Sequence, residues 1–145
     1  MTEPTKKTGM EAFFTRSIAN EGIELPLYAP TGEKTEHWLR VRGIDSDEFR
    51  LADANCRRDA FQVASVEDPV ERTRLMAESQ RKLIASLVVG WSFDKDCTIE
   101  SVMDFFREAP QIQEAVDRAA SRRALFFAGR SSSSVPLPST SSDSI

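Results

Sequence analysis

Residues 81–93 read Arg-Lys-Leu-Ile-Ala-Ser-Leu-Val-Val-Gly-Trp-Ser-Phe, the longest apolar run in the chain, and how that run folds decides where the core lies. Leu83, Ile84, Leu87 and Val88 recur at helical spacing, so the run predicts the buried end of a helix. Gly90 stands where a left-handed C-terminal cap belongs. Trp91 and Phe93 are then expected to fold back over the apolar face, which makes Leu87, Gly90 and Trp91 structural residues.

Upstream, Asp68-Pro-Val-Glu supplies the start of that helix, with Asp68 as N-cap, Pro69 at the first helical position and Glu71 completing a capping box. The helix is expected to reach about Val89, its charged first half projecting into solvent. Another start signal lies at Asp45-Ser-Asp-Glu, where Asp45 can cap and Glu48 occupies the box position. Behind it Phe49, Ala52, Cys56, Ala60 and Val63 hold one stripe, and Arg50, Asp53, Arg57 and Arg58 read as a solvated opposite face.

Between residues 23 and 43 the period changes to two. Ile23, Leu25 and Leu27 alternate with Glu24, Pro26 and Tyr28, and Trp38, Arg40 and Arg42 alternate with Leu39 and Val41. Pro30 and Gly32 supply a turn, so the segment predicts a β-hairpin, with Pro26 placing its first strand at an edge. Arg40 and Arg42 share a face, either to meet an acidic partner or to keep an edge strand from aggregating, and the second role is favoured. A lone hairpin is marginal in water, so it must pack on helices or pair with another chain. Residues 1–19 read as a flexible lead-in, within which 10–18 forms a helical turn or two or an apolar approach to the first strand.

Downstream of Phe93, a polar link leads to Thr98, which can cap a short helix carrying Ile99, Val102, Met103 and Phe106 on one stripe. Pro110 ends that helix and begins another, expected to reach about Phe127, with Ile112, Ala115, Val116, Ala119, Phe126 and Phe127 toward one side and Gly129 as its stop. Arg118, Arg122, Arg123 and Arg130 suit the negative end of its dipole. From Ser131 a serine- and proline-rich sequence cannot build a core. The expected organisation is therefore a lead-in (1–19), one domain (20–129) and a disordered tail (130–145). Its fold class is α+β, mainly α: an N-terminal β-hairpin followed by about four helices.

Composition narrows the function. The 145 residues carry a formal charge of −4, against the broad basic field that non-specific nucleic-acid binding needs. Cys56 and Cys97 are too few for a disulfide scaffold or zinc site, and His37 has no second histidine or cysteine at a metal spacing. There is no Gly-rich phosphate loop, no Gly-x-Ser-x-Gly elbow and no Cys-His pair at a recognisable spacing, so the sequence suggests neither an enzyme nor a cofactor. No apolar run suffices to cross a bilayer, and the first residues lack the apolar segment of a signal peptide, so a cytoplasmic location without membrane contact is expected.

Trp38, Val41, Gly43, Asp45, Ser46, Asp47 and Phe49 match the pattern Trp-x-x-Val-x-Gly leading to Asp-Ser-Asp and an aromatic. Together with Gly90-Trp91 and the Pro110-x-Ile112 start, they make residues 20–128 resemble a phage tail assembly chaperone. The resemblance implies a non-enzymatic host-cytoplasmic protein of a long-tailed phage that coats the tape measure protein, helps recruit tail tube subunits and is absent from the finished virion. It also implies a second, longer form made by programmed frameshift near the chain's end. In that setting Phe126 and Phe127, with Arg40, Arg42 and the hairpin edge, are the expected contacts to the tape measure protein or to another copy, while Trp38 and Phe49 join the structural set. The competing expectation is a small DNA-associated regulator using the basic end of the last helix.

Overall fold

The computed structural model describes residues 9–127. Its centre is an antiparallel sheet of three strands in the order β1-β2-β3, formed by Ile23–Tyr28, Lys34–Val41 and Val88–Trp91. Five helices surround it among the described residues: α1 (Arg16–Glu21) before the hairpin, then α2 (Asp47–Ala64), α3 (Pro69–Ala85), α4 (Ile99–Glu108) and α5 (Pro110–Ser121). The chain is thus α+β and mainly helical, with the hairpin and four following helices that the sequence predicts.

The hairpin follows its period-two pattern. Ile23, Leu25 and Leu27 are buried, as are Leu39 and Val41 opposite them, and the turn closes where Ala29 donates to the Glu33 carbonyl at 2.8 Å. Pro26 lies on the edge strand, and the register shifts just after it, consistent with its missing donor.

The decisive run folds differently from its helical expectation. Helix α3 stops at Ala85, where the Ser86 hydroxyl turns back to the Leu83 carbonyl, and Val88–Trp91 becomes β3. Without it, β2 would leave one row of backbone donors and acceptors unpaired inside the molecule. Strand β3 takes that row, pairing Leu39 with Trp91, Arg40 with Gly90 and Val41 with Val88. Gly90 is accordingly not a left-handed cap; the positive-φ glycines of the described residues are Gly22 and Gly32. Val88, Val89 and Trp91 favour extended backbone, and helical spacing within so short a run cannot exclude it.

Leu87 is wholly buried in the core cluster it shares with Ile84, Ala85, Leu39, Val41, Val102, Phe106 and Val116. Helix α4 has the Thr98 cap expected of it, reinforced because Thr98 and Ser101 bond each other's backbone N–H groups. Pro110 opens α5 as expected, but α5 ends at Ser121. Arg122 is extended, and a 3-10 turn at Arg123–Phe126 drops Leu125 and Phe126 into the core. Gly129 and the tail at 130–145 lie outside the described residues.

Order also begins before residue 20. In α1 Ala19 is buried, and its carbonyl accepts from Gly43 N–H at 3.1 Å. Gly43 permits this closeness: a Cβ there would stand 2.9 Å from Ala19 Cβ and 3.2 Å from the Phe126 ring.

Candidate partner-binding surfaces

Two aspartates at the start of α2 hold the ends of the described chain together. Asp45, expected as the cap, leaves that role to Ser46, whose hydroxyl accepts from Phe49 N–H at 3.2 Å. Asp45 instead receives Arg123 through two bonds, at 2.7 and 2.9 Å, and the Thr15 hydroxyl at 3.0 Å. The Arg123 hydrogen bonds hold the Asp45 carboxyl below its ordinary pKa; partial burial opposes them, and Thr15 and the field of Arg50 assist. Asp47 binds Arg16 at 2.8 Å and exchanges bonds with Asn20, fixing α1 against α2.

These contacts frame a cleft of about 710 Å3 lined by Phe13, Phe14, Thr15, Arg16, Ser17, Asp45, Arg50, Arg123 and Phe127. Phe13, Phe14 and Phe127 are all exposed. The cleft is thus lined by both aromatic and charged side chains, a form suited to a protein segment carrying both apolar and polar groups.

The expected partner contacts separate here. Phe127 is 43% exposed and lines the cleft, whereas Phe126 is 1% exposed and belongs to the core. The 3-10 turn explains the correction, because it rotates the two adjacent rings to opposite environments. Arg40 and Arg42 are not edge guards either, since β2 is the central strand. Arg40 donates to the Glu21 and Gly22 carbonyls at 2.9 and 3.1 Å, and Arg42 to the Ser86 carbonyl at 3.2 Å. Both therefore engage the carbonyls that α1 and α3 leave unpaired at their C-terminal ends.

The structural residues divide similarly. Trp38 and Phe49 are half-buried; the Trp38 N–H donates to the Ser92 hydroxyl at 2.9 Å. Trp91 is also half-buried rather than enclosed. Its Nε1 donates to the Lys95 carbonyl at 2.6 Å, and its ring meets Phe93 and Phe105 edge-on. His37 packs on Phe93 with centroids 4.5 Å apart and places Nδ1 3.0 Å from the Ser92 hydroxyl.

A second surface lies along α2 and the first half of α3. Here the N-cap Asp68 accepts from Val70 N–H at 3.1 Å as expected, while Glu71 pairs with Arg74 instead of closing a capping box. Val70 and Met76 are exposed, so this end of α3 does project into solvent. Ala60, Val63, Ala64 and Met76 line an open groove of about 530 Å3 between the two helices. Sequence reasoning did not select Phe13, Phe14, Leu51 or Phe61 as surface residues. The signal available for Phe61 was its place off the Phe49-to-Val63 stripe.

Among the described residues no three His, Cys, Asp or Glu side chains are grouped to hold a metal ion, and no helix is long and apolar enough to cross a membrane. Cys56 and Cys97 are unpaired thiols, and burial raises the pKa of Cys97. Comparison with protein-family models, curated proteins and solved structures finds no match to the chain.

Proposed function

We propose that the chain is a tail assembly chaperone of a long-tailed phage, which binds the tape measure protein and helps recruit tail tube subunits in the host cytoplasm without remaining in the virion. The observation that carries this reading is the cleft, whose lining brings together Phe13, Phe14 and Phe127, all of them exposed. Apolar side chains gathered around a cleft favour covering by another protein over solvation. The sequence resemblance supplies the identity of that protein. The competing DNA-binding reading loses one of its cations, because Arg123 is engaged by Asp45.

Co-expression tests the proposal. The tape measure protein should stay soluble with this chain and precipitate without it, and Phe13→Ser with Phe127→Ser should remove the protection while leaving the chaperone folded. Equal solubility of the tape measure protein with and without the chain would reject the reading. So would retention on DNA that falls steeply with added salt.

A further inference from the structure

Helix α2 spans 18 residues, and none of its side chains is buried. Most helical stability in proteins comes from packing an amphipathic face, so a helix of this length with so little enclosed has a face left to cover. Its inner face is accounted for: Ala52, Cys56, Ala60 and Val63 look toward α3, where Cys56 Sγ lies 3.3 Å from the Ser79 hydroxyl.

The outer face is not. Arg50, Ala54, Arg57, Arg58 and Phe61 follow one another at i, i+4, i+7, i+8 and i+11, which places them on one side of the helix, with Leu51 at its border. All six are exposed, Phe61 to 81%. Arg57 is paired with Asp53 at 2.9 Å. Among the described residues Arg50 and Arg58 form no ion pair; Arg58 donates to the Asn55 side-chain oxygen at 2.7 Å. The face is therefore a narrow apolar strip within a cationic border, about 16 Å long at 1.5 Å per residue.

We infer that the outward face of α2, from Arg50 to Phe61, docks an amphipathic helix whose apolar stripe is flanked by acidic residues. A strip of this length and width matches the contact one helix makes along another, and Arg50, Arg57 and Arg58 match glutamates or aspartates beside a leucine stripe. A second copy fits less well, because a two-fold pairing sets two arginine-bordered faces against each other. A lipid surface fits less well too, because Leu51 and Phe61 offer little to insert. The face meets the cleft only at Arg50, which lines both; Phe13, Phe14 and Phe127 do not contribute to it.

The test uses the full chain and two labelled synthetic helical peptides that share a leucine stripe, one flanked by glutamates and one by lysines, followed by fluorescence anisotropy. The glutamate peptide should bind with an affinity that falls as salt is added, and the lysine peptide should bind about tenfold or more weakly. Leu51→Ser with Phe61→Ser should weaken the glutamate peptide by about tenfold or more at an unchanged melting temperature. If that pair of substitutions also unfolds the chain, Arg50→Glu with Arg58→Glu carries the same test by reversing the preference to the lysine peptide. Equal affinity for both peptides overturns the inference. So does a dimer in sedimentation that Phe61→Ser dissociates, or binding to anionic phosphatidylserine vesicles that the same substitution abolishes.

Discussion

Helices α4 and α2 begin alike and end up in different physical situations. Each is capped by a hydroxyl, from Thr98 or Ser46, and each carries acid in its first turn. Yet α4, of 10 residues, encloses Val102, Met103 and Phe106, while α2, at 18, has at most half-buried side chains and none fully enclosed. A cap and the dipole fix where a helix starts, but they contribute only about a kilocalorie each, so they do not explain how far it runs. The length of α4 follows from the core it fills. The length of α2 follows only in part from its packing on α3, and its outer strip completes the account if something else lies on it.

The sharpest way to break that comparison is Phe106→Ala. The ring is 1% exposed within the cluster that joins the sheet to α4 and α5, so its loss should cost about 3–5 kcal/mol in urea denaturation. A cost below about 1 kcal/mol, the range of surface substitutions, would show that α4 is no better enclosed than α2. Next in size is Gly43→Ala, where the new Cβ meets Ala19 at 2.9 Å and the Phe126 ring at 3.2 Å. Neither neighbour is a flexible chain end. Overpacking should therefore destabilise the fold by about 1–3 kcal/mol, measurable as a lower urea midpoint with an unchanged slope.

Ser46→Ala removes the cap of the unburied helix and should cost about 1 kcal/mol by the same measurement. The Asp45–Arg123 pair has a pH signature instead. Because Arg123 holds the Asp45 carboxyl below its ordinary pKa, the stability it adds is present above the unfolded-state value and is lost as pH falls through the depressed folded one. Arg123→Gln should therefore be less stable than the parent near neutral pH, with the gap closing in acid. Thr15 and Arg50 still act on Asp45 in that variant, so it too should lose some stability in acid, though less than the parent does. A gap that widens on acidification would contradict the assignment.

Much of the fold was legible because several signals rest on chemistry local to a few residues. Asp68-Pro69, Thr98 and Pro110 open helices whatever surrounds them, and the alternation from Ile23 to Val41 specifies a hairpin with one buried face. Strand β3 was not legible in the same way. Leu83-Ile-Ala-Ser-Leu-Val-Val satisfies a helical period, and what turns Val88–Trp91 into a strand is the unpaired side of β2, some 50 residues earlier in the chain. The surface suffered from the opposite problem. Phe126 and Phe127 are adjacent and chemically identical, and only the break at Arg122 sends one inward and leaves the other at the cleft. Arg40 and Arg42 read as free cations because the carbonyls they bind belong to the ends of other elements.

The smallest expected effect is also the one that separates α2 most cleanly from α4. Phe61 is 81% exposed, so replacing it with serine gives up little burial, and phenylalanine and serine have similar helix propensities. Phe61→Ser should then change stability by no more than about 0.5 kcal/mol, against the several kilocalories expected at Phe106. An aromatic ring whose removal leaves the monomer unaffected contributes nothing to folding it. If the substitution proves neutral in urea while abolishing capture of the acidic peptide, α2 is a helix whose outer face serves binding. If it instead costs 2 kcal/mol or more, roughly what a buried side chain contributes, the ring packs against this chain in solution and the contrast with α4 dissolves.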